Sequence, residues 1–210
     1  MEVPLPLPVI CLVAGVGAGL LAGRTADASA ALKMLAATAY LTFAWQLGAL
    51  ESPYGKLIFA GLAASWIGDL LLIGERSPRL FIGGLGAFLA AHVLYAVAFL
   101  GRGPSPLFGA LPAVVMLAIS TATLRWLTDA GLSGRMRDAV IVYLAAISAM
   151  VALAAATGSL AAITGAIAFA ASDLFVARER FATRSLWNRR LGLPLYFAAQ
   201  LMLAMSIRMI

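Results

Sequence analysis

The sequence predicts an all-α fold, a polytopic transmembrane bundle of eight spans forming a single domain over residues 1–210. Two observations carry that prediction. Hydrophobic residues make up 63% of the chain and charged ones 11%, with a mean hydropathy of +0.98, whereas a soluble domain holds about 45–50% apolar and about 25% charged residues. The apolar residues also fall in runs of roughly 18–20 without a polar face, the length a helix needs to cross the hydrocarbon core.

Charges and turn residues place the spans in order. The first, near 5–22, has Glu2 as the only charge ahead of it and reads as a retained span rather than a cleaved leader. It holds Cys11, the single cysteine, so no intrachain disulfide forms. The second span, near 31–49, stops at Glu51-Ser52-Pro53-Tyr54-Gly55, and the third, near 57–74, runs into Glu75-Arg76. The fourth, near 79–100, ends at Arg102-Gly103-Pro104-Ser105-Pro106. A polar run from Thr128 to Asp138 separates the fifth, near 107–127, from the sixth, near 138–156. Only Thr157-Gly158-Ser159 divides the sixth from the seventh, near 160–177, and the eighth lies near 191–209.

Eight spans put both termini on one side. Connections one, three, five and seven, with their span edges, hold twelve lysines and arginines; the other side has Lys56, Arg102 and Arg208. Basic residues gather in cytoplasmic loops, so both termini are expected to be non-cytoplasmic. The net charge of +6 then belongs to the cytoplasmic face and its lipid headgroups. No nucleic-acid motif accompanies it. Membrane lipid is the expected surrounding, a bacterial inner membrane the expected location, and no feature sets an oligomeric state.

Two aspartates interrupt the apolar spans. Gly68-Asp69-Leu70 is followed by Glu75-Arg76, and Ser172-Asp173-Leu174 by Glu179-Arg180, with the same spacing. A carboxylate in hydrocarbon costs a few kcal/mol even on lenient insertion scales, so such residues mark functional sites. Spans three and seven run in the same direction, and each aspartate precedes its arginine by seven residues. At 1.5 Å per residue both lie about 10 Å from the basic edge. One shared site in the cytoplasmic half of the bilayer is the expectation. The repeat distance of 104 residues suggests two parallel halves of four spans, 1–104 and 105–210.

Other polar residues in the spans need partners. Lys33 either snorkels to the headgroups or joins the site. His92, the single histidine, reads first as a structural hydrogen-bonder lying deeper than the aspartates. Tyr143 and Tyr196 fit an aromatic belt or the site, and Gln200, one turn beyond Tyr196, shares its face. Gly61, Gly68 and Gly165 permit close helix contact. One histidine and one cysteine cannot supply a multi-histidine zinc cage or a cysteine-rich centre. There is no nucleophile elbow and no Walker or Rossmann loop. No metal and no cofactor are expected. Carboxylate chemistry and carboxylate-based ion coupling both remain open.

The chain resembles the YhhN-like lysoplasmalogenases, polytopic membrane proteins. The resemblance is carried by Ser65-Trp66-Ile67-Gly68-Asp69-Leu70-Leu71-Leu72 and by Gly84 to Tyr95, which includes Ala91-His92. It continues in Gly165 to Asp173, which includes Ser172, and in Leu195-Tyr196-Phe197-Ala198-Ala199-Gln200. Lys33 and Tyr143 stand where the family tends to carry lysine and tyrosine, although Met34 replaces the proline that often follows the lysine. The resemblance implies hydrolysis of the vinyl ether bond of a lysophospholipid, the lysoplasmalogens, releasing a fatty aldehyde and glycerophosphoethanolamine or glycerophosphocholine. Such a bond breaks by protonation of its β-carbon, and glycosidases meet a similar cation with two carboxyl groups. Asp69 and Asp173 would then act as acid and base in either order. Lys33, His92, Tyr143, Ser172, Tyr196 and Gln200 would bind or position the substrate. The rival reading is a proton- or cation-coupled transporter built on the same aspartates.

Overall fold

The structure is a computed structural model, which describes residues 6–74, 77–103 and 105–209. Eight α-helices follow one another among these residues, with no strand: α1 Pro6–Leu21, α2 Ala26–Gln46, α3 Pro53–Leu71, α4 Pro78–Leu100, α5 Pro106–Asp129, α6 Gly134–Ala156, α7 Leu160–Ala177 and α8 Leu186–Met209. They match the eight expected spans one for one. Several begin four or five residues earlier than the apolar runs, because a helix continues through its polar first turn after hydropathy has fallen. At α3, Pro53 takes the first helical position and Ser52 Oγ accepts from Gly55 N at 3.0 Å, satisfying an amide that the helix itself cannot.

Helices α4 to α8 are each long and apolar enough to cross a membrane; α1 is apolar but only 16 residues long. α2 and α3 fall outside that set, and they are the helices that carry Lys33, Tyr40, Ser65 and Asp69. The protein is an integral, multi-pass membrane protein.

Packing pairs α1 with α2, α3 with α4, α5 with α6, and α7 with α8. α8 also touches α1, α2 and α3, and α4 also touches α6. Half of the α8 span is buried, against 11% for α5, which makes α8 central and α5 peripheral. Glycines set the closest approaches. A Cβ on Gly68 would come within 2.7 Å of the Phe88 ring, and one on Gly165 within 3.0 Å of Leu203 N. Gly68 therefore lets α3 lie against α4 with Asp69 turned inward. A short 3₁₀ turn, Leu72–Gly74, closes α3, and a π-helical turn, Arg178–Ala182, extends α7. Glu75 and Arg76, the first of the two Glu-Arg pairs, lie outside the described residues.

Candidate active site

A cavity of about 390 Å³ opens at the end of the bundle that holds the α1–α2 and α7–α8 connections and the C-terminal end of α3. Asp69 and Asp173 both line it, with Lys33, Tyr143, Ser172 and Tyr196. Its walls are apolar, formed by residues such as Leu72, Leu85, Phe88, Val176 and Leu193, and its rim carries Arg180, Arg184 and Arg189.

Around Asp69 the donors crowd. The side chain is 2% exposed, and Lys33 Nζ stands 3.2 Å from Oδ1. The same ammonium reaches the backbone carbonyl of Asp69 at 3.3 Å. Tyr196, from α8, donates its hydroxyl to Oδ2 at 2.7 Å. Tyr40 lies 3.4 Å from Oδ2 and 3.4 Å from the Tyr196 oxygen, longer than a good O–H···O bond. Tyr196 is thus the principal neutral donor. An ammonium and a phenol are the partners that an ionised, acceptor-only carboxylate requires.

Asp173 is differently furnished. Tyr143 donates to Oδ2 at 3.1 Å, and His92 Nε2 stands 3.4 Å from the same oxygen. The approach suits an ion pair once the imidazole is protonated, but its direction is not that of a hydrogen bond, and neither ring nitrogen has a hydrogen-bond partner. The histidine side chain is fully buried, and that of Asp173 is 15% exposed. The His92 ring packs edge-on to Phe169 at 4.5 Å and to Tyr143 at 5.1 Å. Phe169 in turn meets Tyr196 at 5.4 Å, so one aromatic ring stands between the two carboxylate networks.

Comparison with known proteins gives this cavity a context. The family model described as the YhhN family matches residues 28–207, from early in α2 to the end of α8. The chain belongs to the YhhN family. Among the family's relatives, "Lysoplasmalogenase TMEM86A" of Bos taurus is 35% identical over 174 residues, which is 75% of this chain and 67% of that protein. "Lysoplasmalogenase" of Mycobacterium bovis is 34% identical over 158 residues, 71% of this chain and 59% of its own length. "Uncharacterized membrane protein YhhN" of Escherichia coli O157:H7 is 32% identical over 77 residues, 37% of this chain and 36% of that protein. This chain thus spans about two thirds or less of the relatives it matches. No solved structure matches it significantly.

Of the residues singled out from sequence, Lys33, Asp69, Tyr143, Ser172, Asp173 and Tyr196 share the cavity of this family member. Ser172 Oγ donates to the Phe169 carbonyl of its own helix at 2.7 Å, leaving its lone pairs free. His92 does not line the cavity, yet its Nε2 stands 3.4 Å from Asp173 Oδ2. Gln200 is fully buried away from the cavity lining, where its Oε1 accepts from Tyr95 at 3.0 Å. Tyr40 was not anticipated. Its signal was present, since it stands seven residues after Lys33 on α2 and so on the same helical face.

The α7–α8 connection is itself braced. Glu179 Oε2 accepts from Ser185 N and from Asn188 Nδ2, both at 2.8 Å. Arg180 lays its guanidinium over the Phe81 ring at 4.2 Å, a cation–π contact that fixes one side of the rim. Among the described residues no group of three His, Cys, Asp or Glu is placed to hold a metal ion.

Proposed function

We propose that the protein is a lysoplasmalogenase-type hydrolase, cleaving the vinyl ether bond of lysoplasmalogens by acid–base chemistry at Asp69 and Asp173. The observation that carries this reading is that both carboxyl groups face one cavity with apolar walls and a basic rim. The names of the bovine and mycobacterial relatives supply the reaction class. The cavity suits a lipid with a charged head, because Lys33, Arg180 and Arg184 stand where a phosphate would arrive.

The donor sets distinguish the two carboxyls. Asp69, held by Lys33 and Tyr196, serves as the fixed carboxylate. Asp173, with one phenol donor and no ammonium beside it, serves as the acid. Its proton passes to the β-carbon of the vinyl ether, and the α-carbon and ether oxygen become an oxocarbenium ion. Asp69 faces that cation electrostatically. Water adds to the α-carbon and loses a proton to the carboxylate of Asp173. The resulting hemiacetal collapses, its hydroxyl losing a proton and the glycerol oxygen gaining one. The net reaction consumes one water and yields an aldehyde and a glycerophospho-alcohol.

A duplication supports a shared site. The 104-residue spacing that relates Asp69 to Asp173 also relates His92 to Tyr196, Gly61 to Gly165 and Lys33 to Arg137. Each aspartate meets the counterpart residue of the other half: Asp69 meets Tyr196, and Asp173 meets His92. The contact of α2 with α8 has its equivalent in that of α6 with α4. The basic rim, read with the positive-inside rule, supports a cavity opening to the cytoplasmic leaflet of a bacterial inner membrane. For a carrier, broken helices at the ion site are the usual device; Asp69 and Asp173 each stand on regular α-helix, near the ends of α3 and α7.

The test is aldehyde release from lysoplasmenylethanolamine by purified protein in detergent. Release that depends on both Asp69 and Asp173 is expected; activity surviving in Asp69→Asn and Asp173→Asn sinks the assignment.

A further inference from the structure

Resting on the reading of the cavity as a lysolipid site, we infer that the first carbons of the substrate's hydrocarbon chain are held in a second, apolar pocket between α4, α5, α6 and α7. This pocket measures about 70 Å³, room for on the order of two or three methylene-sized groups at a liquid water's ~30 Å³ each. It adjoins the main cavity: Phe81, Leu85, Tyr143, Asp173 and Val176 line both. Asp173 is therefore at a junction, with the basic rim reached through one space and an apolar slot through the other. Asp69 lines only the larger cavity.

That junction matches the bond order of the proposed substrate. In a vinyl ether lysolipid the glycerol and phosphate lie on the oxygen side of the double bond, and the alkyl chain begins on the β-carbon. A molecule with its phosphate at Arg180 and Arg184 and its chain in the slot presents the β-carbon to Asp173. Apart from Asp173, Tyr143 and Thr123 the slot lining is apolar, so an alkyl chain is the chemistry it accepts.

The slot is least closed between α4 and α5. α1 is closed onto α8, where a Cβ on Gly15 would meet the Phe197 ring and one on Gly19 the Arg189 carbonyl at 3.0 Å. Its counterpart α5 packs on α6 and makes no comparable interface with α4. The longer part of the chain leaves through this loosely closed side into the bilayer, which frees the site from having to enclose a whole alkyl tail.

The test uses a 1-O-alkyl lysophosphatidylethanolamine, whose saturated ether is not cleaved by this chemistry, with a diazirine on the third chain carbon. Full-length protein in nanodiscs is photolysed with it and the adducts are mapped by mass spectrometry. Adducts on α5, α6 and α7 residues around Leu127 and Leu144 are expected. They should fall at least tenfold in Leu144→Trp, or in Leu144→Phe if the indole unfolds the bundle. Val114→Trp on the outer face of α5, where Val114 is 65% exposed, should leave them unchanged. Adducts on α1, α2 or α8, labelling no greater than that by a diazirine phospholipid, or labelling indifferent to Leu144 would overturn the inference. The same preparation is assayed for aldehyde release. Slot labelling without aldehyde leaves the chain site standing and removes the hydrolase reading, and aldehyde with labelling elsewhere does the reverse.

Discussion

Replacing Lys33 with methionine keeps an unbranched side chain, one atom shorter, and removes its charge from Asp69. In the native protein the ammonium stands 3.2 Å from a carboxylate whose side chain is only 2% exposed. At an effective dielectric of about 20, charges at that distance attract by roughly 5 kcal/mol. Deleting one member of a buried pair costs about 3–5 kcal/mol, because the other charge is left uncompensated. At about 2–4 °C per kcal/mol for a chain of this size, Lys33→Met should unfold about 6–20 °C below the wild type in detergent. Adding Asp69→Asn removes the orphaned charge, and the double variant should recover most of that loss. The assay is a double-mutant cycle read by thermal unfolding at fixed detergent concentration. A single variant within about 2 °C of wild type, or a double variant no better than Lys33→Met, would refute the claim that this pair ties α2 to α3.

Further predictions concern the reaction. Tyr196→Phe deletes the 2.7 Å bond to Asp69 and should lower kcat for aldehyde release about 10- to 100-fold, the worth of a hydrogen bond to a charged group, about 1.5–3 kcal/mol. Tyr40→Phe, at 3.4 Å from the same oxygen, should cost less than about fivefold, and equal losses in the two variants would contradict the ranking by distance. Arg184→Ala should raise KM for a phosphate-bearing lysolipid with little change in kcat, the pattern of a lost binding contact. Gly68→Ala forces a methyl to within 2.7 Å of the Phe88 ring and should destabilise the fold by about 1–3 kcal/mol, measurable as a fall in unfolding temperature.

The hydropathy of this chain was enough to read its class and its helices. α4 to α8 announce themselves over about 20 consecutive residues, because placing a polar side chain in hydrocarbon is costly at that very position, and α1 to α3 are marked more by the turn residues between them. The same locality made Asp69 and Asp173 conspicuous, and the equal spacing of each to an arginine led to the expectation of a shared site; both line one cavity. Rotation about the helix axes was not legible. Helices that are apolar nearly all round carry no polar stripe to show which face turns inward, so sequence alone did not say that Tyr196 of α8 reaches Asp69 of α3. Nor did it say that His92 stands beside Asp173, that Gln200 turns away toward Tyr95, or that Tyr40 completes the first network. Those pairings follow from where helices approach closely, as at Gly68 against Phe88 and Gly165 against Leu203. Local polarity determined that two carboxylates, Asp69 and Asp173, interrupt otherwise apolar helices. Packing between distant helices decided that each faces a residue from the other half of the chain, because side-chain contact depends on interhelical rotation, which only the assembled bundle sets.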